Sequence, residues 1–297
     1  MLDKCEAIIE ALPYFRKFAG KTIVIKYGGS AQVEPELRTG LCQDLVLMQT
    51  LGIPTVLIHG GGPEISGMMK RLGKTAQFIE GLRVTDEETA EITEMVLVGK
   101  INKALAAEIN LAGGRAVGLS GRDGNLVRAV KVKPVSINGE EFDLGHVGTP
   151  EKIDPTILSD LLRCGYIPVV APTGMAPDGK MLNINGDTVA SYIAGALAAE
   201  KLIFLTDQKG VLRDVKDADS CISQLTLSGL EALESEGIAT GGMIPKIQAA
   251  RIAIESDVKG VHIIDGRIPH SIILELFTSA GVGTMITRNQ GQKGMMS

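Results

Sequence analysis

The stretch with the clearest chemistry is a lysine that ends an apolar run and stands just before two glycines. Residues 22–25 are apolar or β-branched, Lys26 follows them, and Gly28 and Gly29 come after one tyrosine. A buried parallel strand ends in this way when the turn behind it approaches a ligand closely. Ligands of open α/β sheets collect at the carboxyl ends of strands, so an anion such as a phosphate would meet the Lys26 ammonium and glycine N–H groups there. The alternative is a Gly-Gly turn beside a solvated lysine.

Three consecutive glycines, 60–62, form a second candidate anion site. They connect the predicted strand 54–59 to a helix whose first position is Pro63. N–H groups at a helix start are unpaired, so a carboxylate or a phosphate fits above them. A flexible connection is the alternative, but it needs one glycine rather than three. We expect His59, which closes the strand, to be a hydrogen-bonded structural residue and not a catalytic one.

Polar side chains precede two further predicted helices. Arg83 stands before residues 85–88, which fit a capping box, and its guanidinium suits a bidentate clamp on a carboxylate; a structural or exposed arginine is the alternative. Asn183, Asn185 and Asp187 alternate, so an extended segment would place all three on one side. We also expect Asp187 to cap the helix that follows.

A second lysine follows a second glycine pair. Gly241 and Gly242 precede Lys246 near the start of a predicted helix. We expect Lys246 to be the partner of Lys26.

Composition excludes several classes of protein. The 297 residues are 44% apolar with a net charge of −5, so the chain can bury a large core but lacks the basic face of nucleic-acid and membrane-surface binders. The four cysteines have neither metal-site nor disulfide spacing, and no apolar run reaches the length of a membrane span. We therefore expect a cytoplasmic protein that binds neither nucleic acid nor membrane. The cysteines are Cys5, Cys42, Cys164 and Cys221.

Apolar periodicity predicts an α/β chain. Residues 2–18 have an apolar helical stripe, which either packs back on the domain or meets another subunit. Strands then alternate with helices, apart from a predicted β-hairpin of 126–133 with 141–146. Two familiar phosphate motifs fail: Ile65 replaces the third glycine of the dinucleotide fingerprint, and Met68 replaces the first glycine of a Walker motif.

Taken in order, these segments resemble the motifs of the amino-acid kinase family, in particular of its members that phosphorylate N-acetyl-L-glutamate. The resemblance extends from the first strand to Met285, and six motifs in order are highly specific. Gly186 departs from the pattern, which has alanine there. The motifs are Lys26-Tyr27-Gly28-Gly29-Ser30, His59-Gly60-Gly61-Gly62-Pro63, Gly81-Leu82-Arg83-Val84-Thr85-Asp86, Asn183-Ile184-Asn185-Gly186-Asp187, Leu205-Thr206-Asp207 and Gly241-Gly242-Met243-Ile244-Pro245-Lys246.

The resemblance implies a three-layer αβα sandwich with a mostly parallel central sheet. Its parts would be an N-terminal oligomerisation helix (1–19), an amino-acid-substrate lobe (20–195) and a nucleotide-binding lobe with an effector segment (196–297). The implied reaction is ATP-dependent phosphorylation of the γ-carboxylate of N-acetyl-L-glutamate, a step of arginine biosynthesis. Alternatives are a family member acting on carbamate, aspartate, glutamate or UMP, a non-catalytic amino-acid sensor and, from another class, a Rossmann oxidoreductase.

The resemblance also implies roles for individual residues, with ATP as phosphoryl donor and Mg²⁺ carried by the nucleotide rather than by a metal site of the protein. The catalytic residues would be Lys26, Lys246 and Asp187, which orients the lysines. The substrate residues would be Gly28, Gly29, Gly61, Gly62, Arg83, Asn183 and Asn185, and the nucleotide residues Thr206, Asp207, Gly210, Gly241 and Gly242.

Arginine-inhibited members of the family carry an N-terminal helix that joins dimers into a hexameric ring. The resemblance therefore implies a homohexamer built from dimers and inhibited by L-arginine, and it leaves open whether a regulatory signalling protein also binds. A structural role for His262 on a buried strand is the alternative to an effector contact. The implied effector residues are Lys201, His262, Glu275, Gly281 and Gly283.

Overall fold

A computed structural model describes residues 2–28, 34–137, 139–214, 217, 219–235, 242–279 and 281–289. These residues form a central eight-stranded sheet with helices on both faces, and a smaller four-stranded sheet beside it. Each face of the large sheet has its own apolar core. The predicted three-layer αβα sandwich is confirmed.

The helices are α1 (Leu2–Phe18), α2 (Pro35–Thr50), α3 (Gly62–Arg71), α4 (Glu87–Glu94), α5 (Lys103–Leu111), α6 (Thr156–Arg163), α7 (Gly186–Ala196), α8 (Leu227–Ser235), α9 (Met243–Glu255) and α10 (Ser271–Phe277). A π-helical segment, Met95–Asn102, joins α4 to α5, and a 3₁₀ turn spans Asp123–Asn125.

The strands are β1 (Ile23–Tyr27), β2 (Thr55–His59), β3 (Phe78–Ile79), β4 (Leu82–Arg83), β5 (Ala116–Ser120), β6 (Val127–Lys131), β7 (Val135–Ile137), β8 (Glu140–Phe142), β9 (Gly148–Ile153), β10 (Ile167–Ala171), β11 (Thr173–Met175), β12 (Met181–Asn183), β13 (Lys201–Thr206), β14 (Gln224–Thr226), β15 (Val261–Asp265) and β16 (Thr284–Thr287).

The large sheet is mostly parallel and has β1 near its middle. Its order is β14-β16-β15-β13-β1-β2-β10-β5, and the six strands from β15 to β5 are parallel. The chain runs from β1 to β2 on one side, whereas β13 pairs with β1 on the other side. Strand order changes direction at β1, and the crevice at such a point is where open α/β sheets bind ligands.

The alternation of side chains along β1 decides where its lysine points. Ile23, Ile25 and Tyr27 belong to the core on the α2 face, whereas Val24 belongs to the core on the α7 and α9 face. Successive side chains of a strand point to opposite faces, so Lys26 lies on the same face as Val24. The sequence thus directs the Lys26 ammonium toward α7 and α9.

The apolar stripe of α1 packs on the domain along only part of its length. Phe15 and Phe18 contact Phe277 of α10, with ring centroids 4.9 and 6.4 Å apart. Ile8 and Ile9, nearer the start of the helix, are 64% and 68% exposed. The second half of α1 therefore packs back on the domain, and the first half presents apolar side chains at the surface.

The predicted β-hairpin is wrong in its pairing. β7 and β8 pair antiparallel as a short hairpin, but β6 pairs antiparallel with β9 and not with 141–146. The Asn-Gly turn signal was correct, since Gly139 has a φ of 86°. A longer-range partner gives β6 more ladder hydrogen bonds and a place in the four-stranded sheet.

Two helix starts also differ from prediction. The cap of α4 is Asp86, whose side chain accepts a hydrogen bond from the backbone of Thr89, and not Thr85. Thr85 is instead buried, with its hydroxyl bonded to the carbonyl of Arg83. The cap of α7 is Asn185 and not Asp187.

The division into lobes stays a prediction. Its boundary at 195 lies near the end of α7, and strands of both predicted lobes pair directly, β13 with β1. Among the helices that the structure describes, none is long and apolar enough to cross a membrane.

Candidate active site

The candidate site lies where β1, β2 and β13 end together. In the register of the sheet, Tyr27 is opposite His59 on one side and Leu205 on the other. Because the strands are parallel, the segments that follow them meet at one edge of the sheet. Gly28, Gly60 and Thr206 therefore begin or line neighbouring loops.

Two lysines share one buried carboxylate at this edge. The ammonium of Lys26 lies 2.8 Å from Oδ1 of Asp187, and that of Lys246 donates a 2.8 Å hydrogen bond to Oδ2. Asp187 is buried, with 4% of its surface exposed. Burial by itself raises the pKa of Asp187, but the two lysine charges and their hydrogen bonds outweigh it and lower the pKa to about 2. The cluster has a net charge of +1 and suits an additional anion.

Each member of this cluster is set by a regular element. The side chain of Asn185 accepts hydrogen bonds from the backbone of Asp187 and Thr188, so α7 begins two residues earlier than predicted and Asp187 lies in its first turn. Lys246 lies in the first turn of α9. The hydroxyl of Ser191 on α7 donates to the carbonyl of Ala249 on α9 at 2.7 Å, which fixes the two helices against each other.

The predicted row of Asn183, Asn185 and Asp187 is not one extended segment. Asn183 ends β12, Asn185 caps α7, and Asp187 is helical. Asn183 and Asn185 line the cavity next to the lysines, whereas Asp187 contacts the lysines themselves. The alternation predicted a shared site, although the shared strand face was wrong.

A side chain would disturb the lysine cluster at position 28 but not at position 186. A Cβ on Gly28 would lie 2.2 Å from the Lys26 ammonium nitrogen, so any side chain there would displace it. A Cβ on Gly186 would lie 3.4 Å from Cε of Lys26, which is ordinary contact. The alanine that the family pattern has at position 186 would therefore fit this site.

A cavity of about 190 Å³ lies beside the lysine cluster. The glycine loop after β2, including Gly61 and Gly62, forms one side of it, and Asn183, Asn185 and Arg83 line it as well. The predicted substrate residues in the described part of the chain are thus brought together, apart from Gly28, which lies at Lys26. Gly29 and Gly241 lie outside the described residues.

Arg83 contributes a buried positive charge to this cavity. Its Nη2 donates to the carbonyl of Gly62 at 2.8 Å and to the hydroxyl of Ser66 at 2.9 Å, and its guanidinium stacks on the ring of Phe78 at 4.6 Å. Burial lowers the pKa of Arg83. Among the described residues no carboxylate pairs with it, so a ligand carboxylate would supply the missing charge.

The residues predicted to bind the nucleotide lie on the side of the lysine cluster that is opposite the cavity. Thr206 ends β13 and its hydroxyl donates to the Asp207 carboxylate at 3.2 Å. Gly210 has a φ of 154°, and Gly242 is the N-cap of α9. The two lysines therefore stand between these residues and the cavity lined by Arg83.

The predicted effector residues form a separate cluster at the opposite edge of the sheet. Nδ1 of His262 lies 2.5 Å from Oε1 of Glu275, whose Oε2 accepts from the backbone of Val282 at 2.6 Å. Lys201 begins β13 at the same edge, and Gly281 and Gly283 lie in the loop beside Glu275. Burial and the charge of Lys201 lower the pKa of His262, so its ring is neutral.

Sequence reasoning missed three residues that support the cavity. Ser66 holds Arg83, Phe78 stacks on it, and Asn102 is fully buried behind the glycine loop. Asn102 had a usable signal, since it is an isolated amide in an apolar stretch of predicted helix. Ser66 and Phe78 had none, because serine and phenylalanine occur in helices and strands without any special function.

The chain is similar to known proteins over most of its length. Residues 21–265 match the model of the amino acid kinase family. An acetylglutamate kinase of Moorella thermoacetica is 54% identical over 288 residues, 96% of this chain and 97% of the relative.

Two solved structures of one protein, the N-acetylglutamate synthase of Neisseria gonorrhoeae, are 28% identical to this chain. The complex with coenzyme A and N-acetyl-glutamate has a TM-score of 0.83, covering 97% of this chain and 64% of the synthase chain. The complex with coenzyme A and L-arginine has a TM-score of 0.78, covering 96% and 65%. This chain therefore spans less than two thirds of the synthase. The family match runs from β1 through β15, and with a relative more than half identical over nearly its full length, the chain belongs to the amino acid kinase family.

Proposed function

We propose that the protein transfers the γ-phosphoryl group of ATP to the γ-carboxylate of N-acetyl-L-glutamate, giving N-acetyl-L-glutamyl 5-phosphate and ADP. One observation carries the proposal: two lysines share the buried Asp187 between the end of β13 and a cavity lined by Arg83, which pairs with no carboxylate in the part of the chain that the structure describes. The identity with an acetylglutamate kinase supports the choice of acid.

The chemistry needs no general base. A glutamate carboxylate has a pKa of about 4.3 and is already ionised at neutral pH. The obstacle is repulsion between the attacking carboxylate and the phosphate oxygens. Lys26 and Lys246, each bound to one oxygen of Asp187, would neutralise charge on the transferred group. Positioning with electrostatic stabilisation is what phosphoryl transfer requires.

The acid would lie in the cavity beside the lysines. Its non-reacting carboxylate would pair with the buried guanidinium of Arg83, and its polar groups would meet Asn183 and the N–H groups of Gly61 and Gly62. Because Arg83 would contact the carboxylate that does not react, it is a binding residue rather than a catalytic one. Glycines at the loop leave room for the close approach of a ligand.

ATP would lie on the other side of the lysines, along Thr206, Asp207, Gly210 and the start of α9. Within the described residues there is no group of three or more side chains suited to hold a metal, and both oxygens of Asp187 already contact lysines. Mg²⁺ would therefore be held mainly by the nucleotide phosphates, where it supplies neutralising charge to the transferred group.

A coupled ADP-release assay with several acids tests the proposal. N-acetyl-L-glutamate should give the highest kcat/KM, and L-glutamate, L-aspartate, carbamate and UMP should each give less than about 1% of it, because each lacks a group that Arg83, Asn183 and the cavity would meet. Preference for another of these acceptors would assign a different kinase of the family. Binding of N-acetyl-L-glutamate in calorimetry without turnover of any acid would leave the amino-acid sensor.

We further propose a homohexamer that L-arginine inhibits. The apolar side chains of Ile8 and Ile9 are exposed on α1, and a surface of this kind suits contact with another copy. The predicted effector residues form the second cluster, where the charge of Glu275 suits guanidinium donors. The buried Nε2 of His262, which has no hydrogen-bond partner among the described residues, suits them as well. A similar solved structure contains L-arginine.

Sedimentation of an Ile8→Glu, Ile9→Glu double variant tests the assembly. It should sediment as a smaller species and lose sigmoidal inhibition by arginine, because two buried charges would oppose the α1 contact and the effector must bind one ring state better. Glu6→Ala, an exposed change on the same helix, is the matched control. A double variant that stays hexameric would remove α1 from the interface.

A further inference from the structure

The glycine loop after β2 is connected to a buried amide through one histidine ring. His59 is fully buried, and its Nδ1 lies 2.8 Å from the carbonyl oxygen of Gly60. Its Nε2 lies 3.2 Å from Nδ2 of Asn102, the last residue of the π-helical segment. π-Helical segments inside α-helices occur frequently at functional sites.

The chemistry of the partners fixes the tautomer of His59. A carbonyl oxygen only accepts hydrogen bonds, so Nδ1 carries the proton and donates to Gly60. Burial and the nearby charge of Lys26 lower the pKa of His59 to about 4, although the Gly60 hydrogen bond opposes this, so the ring is neutral and Nε2 is bare. Nε2 therefore needs a donor, which Asn102 supplies.

The amide of Asn102 has one orientation that satisfies its surroundings. Its Nδ2 lies 2.8 Å from the carbonyl of Val169, 3.1 Å from that of Leu119 and 3.2 Å from Nε2 of His59. The amide has two N–H groups for these three acceptors, so one N–H is shared between two of them. Lys103 donates to its Oδ1 at 3.3 Å. A flipped amide would bring its oxygen against two carbonyls and the bare Nε2. The carboxyl-terminal end of the π-helical segment thus presents a donor to His59.

The consequence for the loop follows from peptide geometry. In a trans peptide the C=O and the N–H of the next residue point in opposite directions, so a Gly60 carbonyl held at the His59 ring directs the N–H of Gly61 away from that ring. Gly61 itself lines the cavity. Glycine peptides otherwise rotate at little cost. Gly61 also packs tightly, since a Cβ there would lie 2.5 Å from Ile101 and 2.6 Å from Leu97 of the same π-helical segment.

We propose that Asn102, acting through His59, is a positioning residue that fixes the Gly60–Gly61 peptide so that the Gly61 N–H is aimed at the bound acid. The proposal rests on the proposed function for the identity of that acid. The geometry of the connection from Asn102 through His59 to Gly60 can be tested without enzyme turnover.

Two substitutions of His59 separate a hydrogen-bond role from a packing role. His59→Asn places an amide N–H at the δ position, where it reaches Gly60, whereas His59→Gln is closer to histidine in size but places its amide at the ε position. We expect His59→Gln to lower kcat/KM for N-acetyl-L-glutamate about 10- to 100-fold, mainly through KM. His59→Asn keeps the hydrogen bond to Gly60 but loses the contact with Asn102, so it should raise KM only about as much as Asn102→Ala does, about tenfold. The reverse order would mean packing alone and would overturn the proposal.

Asn102→Ala tests the remote end of the connection, with Asn110→Ala on α5 as its control. Asn110 also bonds to backbone, at 2.6 and 3.2 Å from Ala116, but it does not contact His59. Both variants should melt at lower temperature, and Asn102→Ala alone should raise KM, about tenfold. Equal KM in the two variants would contradict the role of Asn102. If Asn102→Ala does not fold, the comparison of His59→Gln with His59→Asn still tests the proposal.

Nitrogen NMR of the full chain labelled at histidine gives a readout without substrate turnover. The His59 ring, assigned from its loss in His59→Asn, should have a protonated Nδ1 and a bare Nε2, and it should not titrate between pH 8 and 5. Protonation at Nε2 would overturn the proposal whichever acid the enzyme uses. A correct tautomer with no activity toward N-acetyl-L-glutamate would instead count against the proposed function alone.

Discussion

The two ends of β13 contact two charged clusters that differ in whether their charges are balanced. At the carboxyl-end edge, Lys26 and Lys246 share the single carboxylate of Asp187 and leave an excess positive charge. At the amino end of β13, Lys201 stands near Glu275, which is already bonded to a neutral His262. The two ends of this six-residue strand are about 17 Å apart.

The difference separates a site that is incomplete without an anion from one that is nearly complete on its own. Adding a phosphate to the lysine cluster improves its electrostatics, because a buried excess charge needs a counter-ion. Adding a ligand to the second cluster means competing with bonds already made to Glu275. Binding at the first site should therefore depend on charge alone, whereas binding at the second should depend on rearrangement as well.

The largest expected effect is the loss of a lysine at the first cluster. Lys26→Ala or Lys246→Ala should lower kcat by about two to four orders of magnitude, because each removes a charge that stabilises the transferred group. The remaining lysine still pairs with Asp187, so the variants should fold. Steady-state kinetics measure kcat, and a melting curve measures folding. The control is Lys70→Ala, which changes an exposed lysine of α3. Nearly normal kcat in both variants would remove the lysines from the mechanism.

Arg83→Ala should have the next largest effect, on binding. Loss of a charged hydrogen-bond donor costs about 1.5–3 kcal/mol, so KM for the acid should rise roughly 10- to 100-fold, with kcat nearly unchanged because the contact is the same in the ground and transition states. Ser66→Ala removes one partner of Arg83 but leaves its charge, and should change KM far less. Equal effects of the two changes would point to a structural role for Arg83.

The depressed pKa of Asp187 predicts an acid-dependent contribution to stability. Its pKa is about 2 in the folded protein, against about 3.9 when unfolded, so the carboxylate stabilises the fold above pH 4 by about 2–3 kcal/mol. This contribution is lost as the pH falls from 4 to 2. The free energy of unfolding, measured by denaturant titration, should therefore differ most between the wild type and Asp187→Asn near pH 5 to 7. If the difference in unfolding free energy between the wild type and Asp187→Asn were the same at pH 5 and pH 2.5, the prediction would be wrong.

The sequence predicted which residues meet better than how they meet. The strand ends, the glycines and the two lysines follow from local pattern, since apolar runs, turn glycines and sheet topology leave few positions for them. The pairing of β6 with β9 did not follow, because a turn signal at 138–139 fixes a hairpin but not the partners of the strands outside it. Long-range pairing is decided by burial of the whole sheet.

The helix caps and the residues that support the cavity were also not predicted correctly from the sequence. Three residues of the Asn183 to Asp187 motif can cap a helix, and only the backbone direction at Asn185 decides among them. The connection from Asn102 to His59 spans 43 residues, and no local pattern reports it. The roles assigned to the site residues stay predictions, since they rest on geometry and family resemblance.

The smallest expected effect is at the second cluster. Glu275→Gln keeps the shape of the side chain but removes its charge, so the arginine concentration for half inhibition should rise about tenfold, less than the full value of a charged pair because His262 already shares that carboxylate. Activity without arginine should not change, since the lysine cluster is a strand length away. Glu255→Gln, an exposed change at the end of α9, is the control. If inhibition in Glu275→Gln equals that of the wild type, arginine binds elsewhere; if the wild type is insensitive to arginine, the nearly balanced second cluster is a structural feature of the fold.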